Sequence, residues 1–97
     1  MNARSTWLRV ASDHPALAGH FPGQPIVPGV LLLDEVLHAI DAAAASWRIA
    51  SLKFHRIVRA EEALQLECSR QPGGGLRIEL RADDALVMSG LLEPRPA

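Results

Sequence analysis

Hydrophobic and polar residues alternate through the second half of the chain with a period of two. The alternation is strictest over residues 76–81 and is repeated over residues 63–69. Such a pattern is typical of strands that rest one face on a hydrophobic core. Residues 48–58 and 85–92 are predicted as two further strands, so this half of the chain predicts a series of strands joined by short turns.

The first half of the chain is organised differently. Residues 7–10 predict one short strand, and a proline-rich loop over residues 12–28 follows it. Residues 30–45 contain no proline or glycine and are dominated by alanine and leucine, which predicts a helix. Pro28 suits the first turn of that helix, where its missing N–H would have no partner. Because the helix is apolar almost all round, we expect it to be buried.

These elements together predict an α+β fold, in which an antiparallel sheet packs against one long helix. Turn-forming residues separate the predicted strands at positions 72–75 and 83–84. The chain has 97 residues and a hydrophobic fraction of 48%, which predicts a single domain over residues 1–97.

A polar stripe on the helix is the first indication of chemistry. Asp34, His38 and Asp41 fall within about 60° of one another at 100° per residue. Polar groups on a buried helix need partners or a function, because burying them without hydrogen bonds is costly. The stripe therefore marks the helix as a place to look for a site.

The loop before the helix supplies a second reactive group. His20 lies in the proline-rich loop, which restricts its position, and Gly29 begins the helix without a side chain that would hinder a ligand. The unpaired N–H groups of a first helical turn suit an oxygen that gains negative charge. With Asp34 further along the helix, these residues form a candidate proton-transfer set.

The segment over residues 19–34 resembles the signature of the 3-hydroxyacyl-acyl-carrier-protein dehydratases. In that signature an acid follows the histidine by fourteen positions, as Asp34 follows His20. The other positions that match are Phe21, Pro22, Pro25, Pro28, Gly29 and Val30. Residues 52–58 also look like the strand that follows the helix in this family, so the resemblance extends over nearly the whole chain.

The resemblance implies a hotdog fold, in which the sheet wraps around the long helix, and a dimer with its sites at the subunit interface. It implies that His20 removes a C2 proton from a (3R)-3-hydroxyacyl thioester and that Asp34 protonates the leaving hydroxyl. The Gly29 N–H would bind the thioester oxygen. The remaining candidate substrate-binding residues are Phe21, Pro28, Val30 and His38. The implied partner is an acyl carrier protein that bears the substrate, and no metal or organic cofactor is implied.

Two departures from the family pattern leave other functions open. The family usually has glutamine four residues after the acid, where this chain has His38, and the connection from helix to strand is shorter here. One alternative is a hotdog thioesterase, which would release a free thiol. The other is a non-catalytic hotdog subunit that pairs with an active partner. The resemblance implies a role in fatty-acid synthesis or in a related lipid or polyene pathway.

Charge and cysteine content narrow the remaining classes. The net charge of −1 does not favour a nucleic-acid partner. The single cysteine, Cys68, allows no internal disulfide, and no apolar run is long enough to span a membrane, so we expect a cytoplasmic protein. Lys53, Arg56 and Arg59 lie near one another in sequence, and on a strand Lys53 and Arg59 would share one face. They are a candidate docking patch for an acidic carrier protein.

Overall fold

A five-stranded antiparallel sheet and one helix make up most of the structure, a computed structural model that describes residues 3–17, 26–40 and 47–95. The elements along the chain are β1 (Ala3–Leu8), β2 (Ile26–Val27), α1 (Gly29–Ala39), β3 (Trp47–Phe54), β4 (Val58–Arg59), β5 (Leu64–Arg70), β6 (Leu76–Ala82) and β7 (Ala85–Pro94). The strand order in the large sheet is β1-β5-β6-β7-β3, and a separate pair, β2-β4, forms a two-stranded sheet.

Strands β5, β6 and β7 follow one another as hairpins, as the alternating pattern predicts. The turn between β5 and β6 contains Gly73 at φ 87° and Gly74 at φ 92°, a left-handed backbone that glycine adopts without steric cost. Asp83, at φ 53°, turns the chain between β6 and β7, and aspartate tolerates this region better than most residues. The predicted turn chemistry at both sites is confirmed.

The core lies between the inner face of the sheet and one side of α1. The alternating apolar residues of the central strands are fully buried, among them Leu66, Ile78, Leu80 and Met88. The helix contributes Leu31, Leu32 and Val36. Burying each large aliphatic side chain stabilises the fold by roughly 1.5–3 kcal/mol, so this layer supplies most of the driving force.

Two strand predictions need correction. The first strand spans Ala3–Leu8 rather than residues 7–10. The predicted strand over residues 48–58 is divided, because β3 ends at Phe54 and β4 begins at Val58. The cause is a change of partner: β3 pairs with β7, whereas β4 pairs with β2. Hydrophobic spacing reports which residues are extended, but it does not report which neighbour they join.

The helix also differs from its prediction. It spans Gly29–Ala39, and Ile40 leaves helical geometry at φ −89° and ψ 4°, whereas the sequence predicts a helix to residue 45. Asp41, the last residue of the predicted polar stripe, lies outside the described residues. Within the described ranges, no helix combines the length and apolarity needed to cross a membrane.

The prediction that the helix is buried all round is wrong for the single chain. Val30 is 78% exposed, and Asp34 and His38 on the same side are exposed as well. The sheet covers only the opposite side, which carries Leu32 and Val36. One side of the helix therefore remains open.

Candidate active site

The start of α1 presents backbone donors in a fixed geometry. Pro28 precedes the helix in an extended conformation, at φ −61° and ψ 145°, and its carbonyl accepts the N–H of Leu32 at 3.1 Å. The N–H groups of the first turn have no acceptor within a helix, and the positive end of the helix dipole lies beside them. Pro28, Gly29 and Val30 thus lie where an oxygen with developing negative charge would be stabilised.

Asp34 lies on the open side of the helix. Val30, Asp34 and His38 are spaced four residues apart, so they form one exposed stripe. Within the described residues, Asp34 and His38 are not hydrogen-bonded to each other. The interpretation of His38 as a partner that orients Asp34 therefore stays a prediction.

The other half of the predicted acid–base pair cannot be placed. His20 and Phe21 lie outside the described residues, as do Pro22 and Pro25. The structure brings together Pro28, Gly29 and Val30 at the helix start, with Asp34 one and a half turns further on. The proximity of His20 to Asp34 stays a prediction from the motif.

An apolar cleft of about 430 Å³ adjoins the helix start. Its lining comes from β2, the helix and the segment that joins β3 to β4: Ile26, Val27, Gly29, Leu32, Phe54, His55, Arg56, Ile57 and Val58. Pockets with mostly apolar walls and a few polar groups are typical of small-molecule sites. This cleft suits an apolar chain whose polar end reaches the first turn of the helix.

Phe54 packs directly on Gly29. A Cβ atom added at Gly29 would lie 2.8 Å from Cζ of the Phe54 ring and 3.0 Å from Cε1, closer than real carbon contacts. The sequence analysis expects glycine at position 29 because a ligand approaches the backbone there. The structure gives a second reason, since the aromatic ring of Phe54 from β3 occupies the space beside the Gly29 backbone. Sequence reasoning missed Phe54, because the proximity of strand end and helix start depends on the tertiary fold.

The turn after β3 is held by an ion pair. Arg56 donates to the Glu62 carboxylate, and it also donates to the Ile57 carbonyl at 2.7 Å. The hydrogen bond between Arg56 and Glu62 lowers the pKa of Glu62 and raises the pKa of Arg56. Glu62 also accepts the N–H of Arg59 at 3.2 Å. The carboxylate therefore fixes the shape of the segment that lines the cleft.

The predicted basic patch is changed by this pairing. Arg56 is neutralised by Glu62, so it is a poor candidate for contact with a carrier protein. Lys53 lies on β3 and Arg59 on β4, so the two do not share the face of one strand. Both are exposed, and they remain the candidate docking cations.

A contact between His14 and Glu35 ties the preceding loop to the helix. His14 Nε2 lies 3.5 Å from Glu35 Oε1, and both side chains are partly buried. His14 precedes His20 in sequence, and Glu35 directly follows Asp34. The contact therefore joins the loop before the candidate base to the helix that carries the candidate acid. Nothing in the spacing of the sequence indicates this pair.

Comparison with known proteins agrees with the fold. Residues 2–91 match a family model described as ApeI-like, ApeI dehydratase, and the chain belongs to this family. A heterocomplex described as the dehydratase ApeI:P from Xenorhabdus doucetiae contains a chain of the same fold, with a TM-score of 0.77 and 24% identity, over 97% of this chain and 88% of that one. The predicted hotdog fold is thereby confirmed.

Curated relatives are 3-hydroxyacyl-[acyl-carrier-protein] dehydratases named FabZ. The protein from Chloroflexus aggregans is 36% identical over 69 residues, which cover 60% of this chain and 48% of the relative. The one from Lactobacillus helveticus is 30% identical over 89 residues, 76% of this chain and 60% of the relative. The chain thus spans about half the length of the curated relatives it matches.

We predict that Gly29→Ala destabilises the fold by up to about 1 kcal/mol, because the new methyl group overlaps the Phe54 ring, which ends a half-exposed side chain and can turn aside. When Phe54 is already replaced by alanine, adding Gly29→Ala should change the free energy of unfolding much less, because the overlapping ring is absent. Urea denaturation of the four proteins would measure both effects and their coupling. A gain in stability for Gly29→Ala alone, as helix propensity would give, contradicts the close contact.

Proposed function

We propose that this chain dehydrates a (3R)-3-hydroxyacyl thioester carried by an acyl carrier protein to the trans-2-enoyl thioester. The observation that carries the proposal is the helix start: first-turn N–H groups at Gly29 adjoin an apolar cleft, and Asp34 follows on the same helix. The motif that contains His20 and the names of the curated relatives support the same reaction.

In the proposed mechanism each side chain moves one proton. His20 accepts the C2 proton, and the electron pair passes toward the thioester oxygen, which the Gly29 N–H stabilises. The pair then forms the C2–C3 double bond as the C3–O bond breaks. A protonated Asp34 donates its proton to the departing hydroxyl, so water leaves. His20 and Asp34 return to their starting states by proton exchange with solvent.

A second copy of the chain is part of the proposal. The open side of the helix displays Val30 and Asp34. Strand β3 is the last strand of the large sheet, and its Ile49 and Phe54 are about half exposed. Exposed apolar residues along an unpaired edge are a favourable surface for association. A dimer or higher oligomer would cover this surface, and it would place the His20 of one copy opposite the Asp34 of the other. We propose that the enzyme has a single domain and acts in the cytoplasm.

We predict that the purified chain removes one water from a 3-hydroxyacyl carrier-protein thioester, as read by intact mass. His20→Ala and Asp34→Asn should each lower the rate by at least about a hundredfold, because each removes one proton-transfer step. Release of free thiol by the wild type would instead support the thioesterase. A folded oligomer without activity at several chain lengths would support a subunit that needs an active partner.

A mixture of the two inactive variants tests the shared site. When His20→Ala and Asp34→Asn chains are unfolded together and refolded at equal amounts, about half the dimers should be mixed, each with one intact site. We therefore expect about a quarter of wild-type activity to return. Sites formed within one chain would give no recovery, and gel filtration would confirm that the mixed dimers form.

Contact with the carrier protein is predicted to depend on Lys53. Lys53→Glu should raise KM for the carrier-bound substrate by about threefold to tenfold and weaken its salt dependence, since charge steers association. KM for a short pantetheine thioester should not change. Arg70→Glu is the matched control, because Arg70 is exposed at the end of β5. Equal effects of the two reversals would contradict docking at Lys53.

A further inference from the structure

One short segment, residues 58–62, contacts both ends of the connection that contains His20. At the later end, Ile26 and Val27 pair with Arg59 and Val58 in the β2-β4 sheet. At the earlier end, the contacts are made by Glu61. Its N–H donates to the Val10 carbonyl at 2.8 Å.

The Glu61 side chain makes the second contact at that end. Its Oε2 accepts the N–H of Ser12 at 2.7 Å, and its Oε1 lies 3.2 Å from Arg9 Nη1. The backbone and the carboxylate of Glu61 thus contact three residues at the start of the connection between β1 and the helix: Arg9, Val10 and Ser12. The contact between Ser12 and Glu61 joins residues separated by 49 positions in sequence.

The backbone of Glu61 adopts a conformation that side chains rarely allow. Its φ is 67°, in the left-handed region, where a residue with a Cβ is strained. Such strain persists only where the surroundings over-determine the conformation, and it is concentrated at functional sites. Here the hydrogen bonds to Val10 and Ser12 supply that constraint.

We propose that Glu61 is a positioning residue for the connection that carries His20, holding its earlier end while β4 holds its later end. The inference rests on the proposed function for its effect on catalysis. The holding contact itself rests on geometry alone. Ser12 precedes His20 by eight residues and Ile26 follows it by six. Between Ser12 and His20, Leu17 is buried in the core and His14 contacts Glu35, so Glu61 acts together with these contacts in holding the earlier end.

The neighbouring groups support an ionised Glu61. The N–H of Ser12 lowers the pKa of the Glu61 carboxyl, and the positive charge of Arg9 acts in the same direction. Glu62 supports the turn from the other side, through Arg56 and the N–H of Arg59. The two adjacent glutamates therefore have different partners: Glu62 shapes the turn, and Glu61 joins the turn to the connection.

Glu61→Gly is the most informative variant. Glycine adopts the positive φ without strain, so the turn should keep its shape while the contacts to Ser12 and Arg9 are lost. Glu61→Gln keeps an oxygen that can accept the Ser12 N–H. Glu67→Ala is the matched control. Glu67 lies on β5, is similarly exposed, and pairs with Arg81 of β6 at 3.1 Å instead of with the connection.

Amide hydrogen exchange measures the holding contact without reference to activity. In Glu61→Gly, exchange at Ser12 and its neighbours should be about tenfold faster than in the wild type, because the acceptor is gone. Exchange in β6 should not change. Glu61→Gln and Glu67→Ala should match the wild type within about threefold at Ser12. Unchanged exchange at Ser12 in Glu61→Gly would overturn the proposal, whatever the activity.

Turnover measures the consequence for the site. Glu61→Gly should lower kcat for dehydration by about tenfold with KM nearly unchanged, since misplacing one catalytic group slows chemistry more than binding. Glu61→Gln should restore most of kcat. A Glu61→Gly variant as active as Glu67→Ala, or a Glu61→Gln variant as impaired as Glu61→Gly, would overturn the positioning role. Absence of dehydration by the wild type would refute the proposed function, and the exchange measurement would still decide whether Glu61 holds the connection.

Discussion

Packing of one side of α1 on the five-stranded sheet determines where every group of the candidate site faces. Leu32 and Val36 enter the core with the inward residues of β6 and β7, and each contributes roughly 1.5–3 kcal/mol by burial. Val30 and Asp34 are about 160–200° away around the helix axis from Leu32. The hydrophobic contact therefore orients the acid outward, although Asp34 makes no contact with the core itself.

The position of the helix start depends on a further set of contacts. Phe54, at the end of β3, lies against Gly29, and β4 pairs with β2 just before Pro28. The chain thus leaves the large sheet at His55 and joins the small one at Val58, with Arg56 and Glu62 fixing the change of direction. The same segment lines the apolar cleft and, through Glu61, reaches back to the loop after β1. Residues 55–62, which begin inside the predicted strand and include β4, therefore link the parts of the site.

The sequence predicts the regular elements best where local pattern and tertiary role coincide. Residues 63–69 and 76–81 alternate because one face of β5 and β6 is buried, and the turns between strands use residues that tolerate left-handed geometry. The helix start is equally readable from Pro28 and Gly29. The contact of Phe54 with Gly29, the Arg56–Glu62 pair and the Glu61 contacts are not readable, because each joins elements whose proximity is set by the fold. The motif indicates His20 by resemblance alone, and its geometry stays a prediction.

The incorrect prediction about helix burial is informative. Residues 30–40 are apolar on nearly every side, yet the single chain buries only the side that carries Leu31, Leu32 and Val36. A sequence pattern reflects all the burial that a helix undergoes in its working state, including burial supplied by another chain. The exposed Val30, together with Ile57 at 62% exposure beside the cleft, is the surplus that the sheet does not cover. The same open side carries Asp34, so the surface that favours association and the acid proposed for catalysis are one surface. Association and catalysis are therefore expected to depend on each other in this protein.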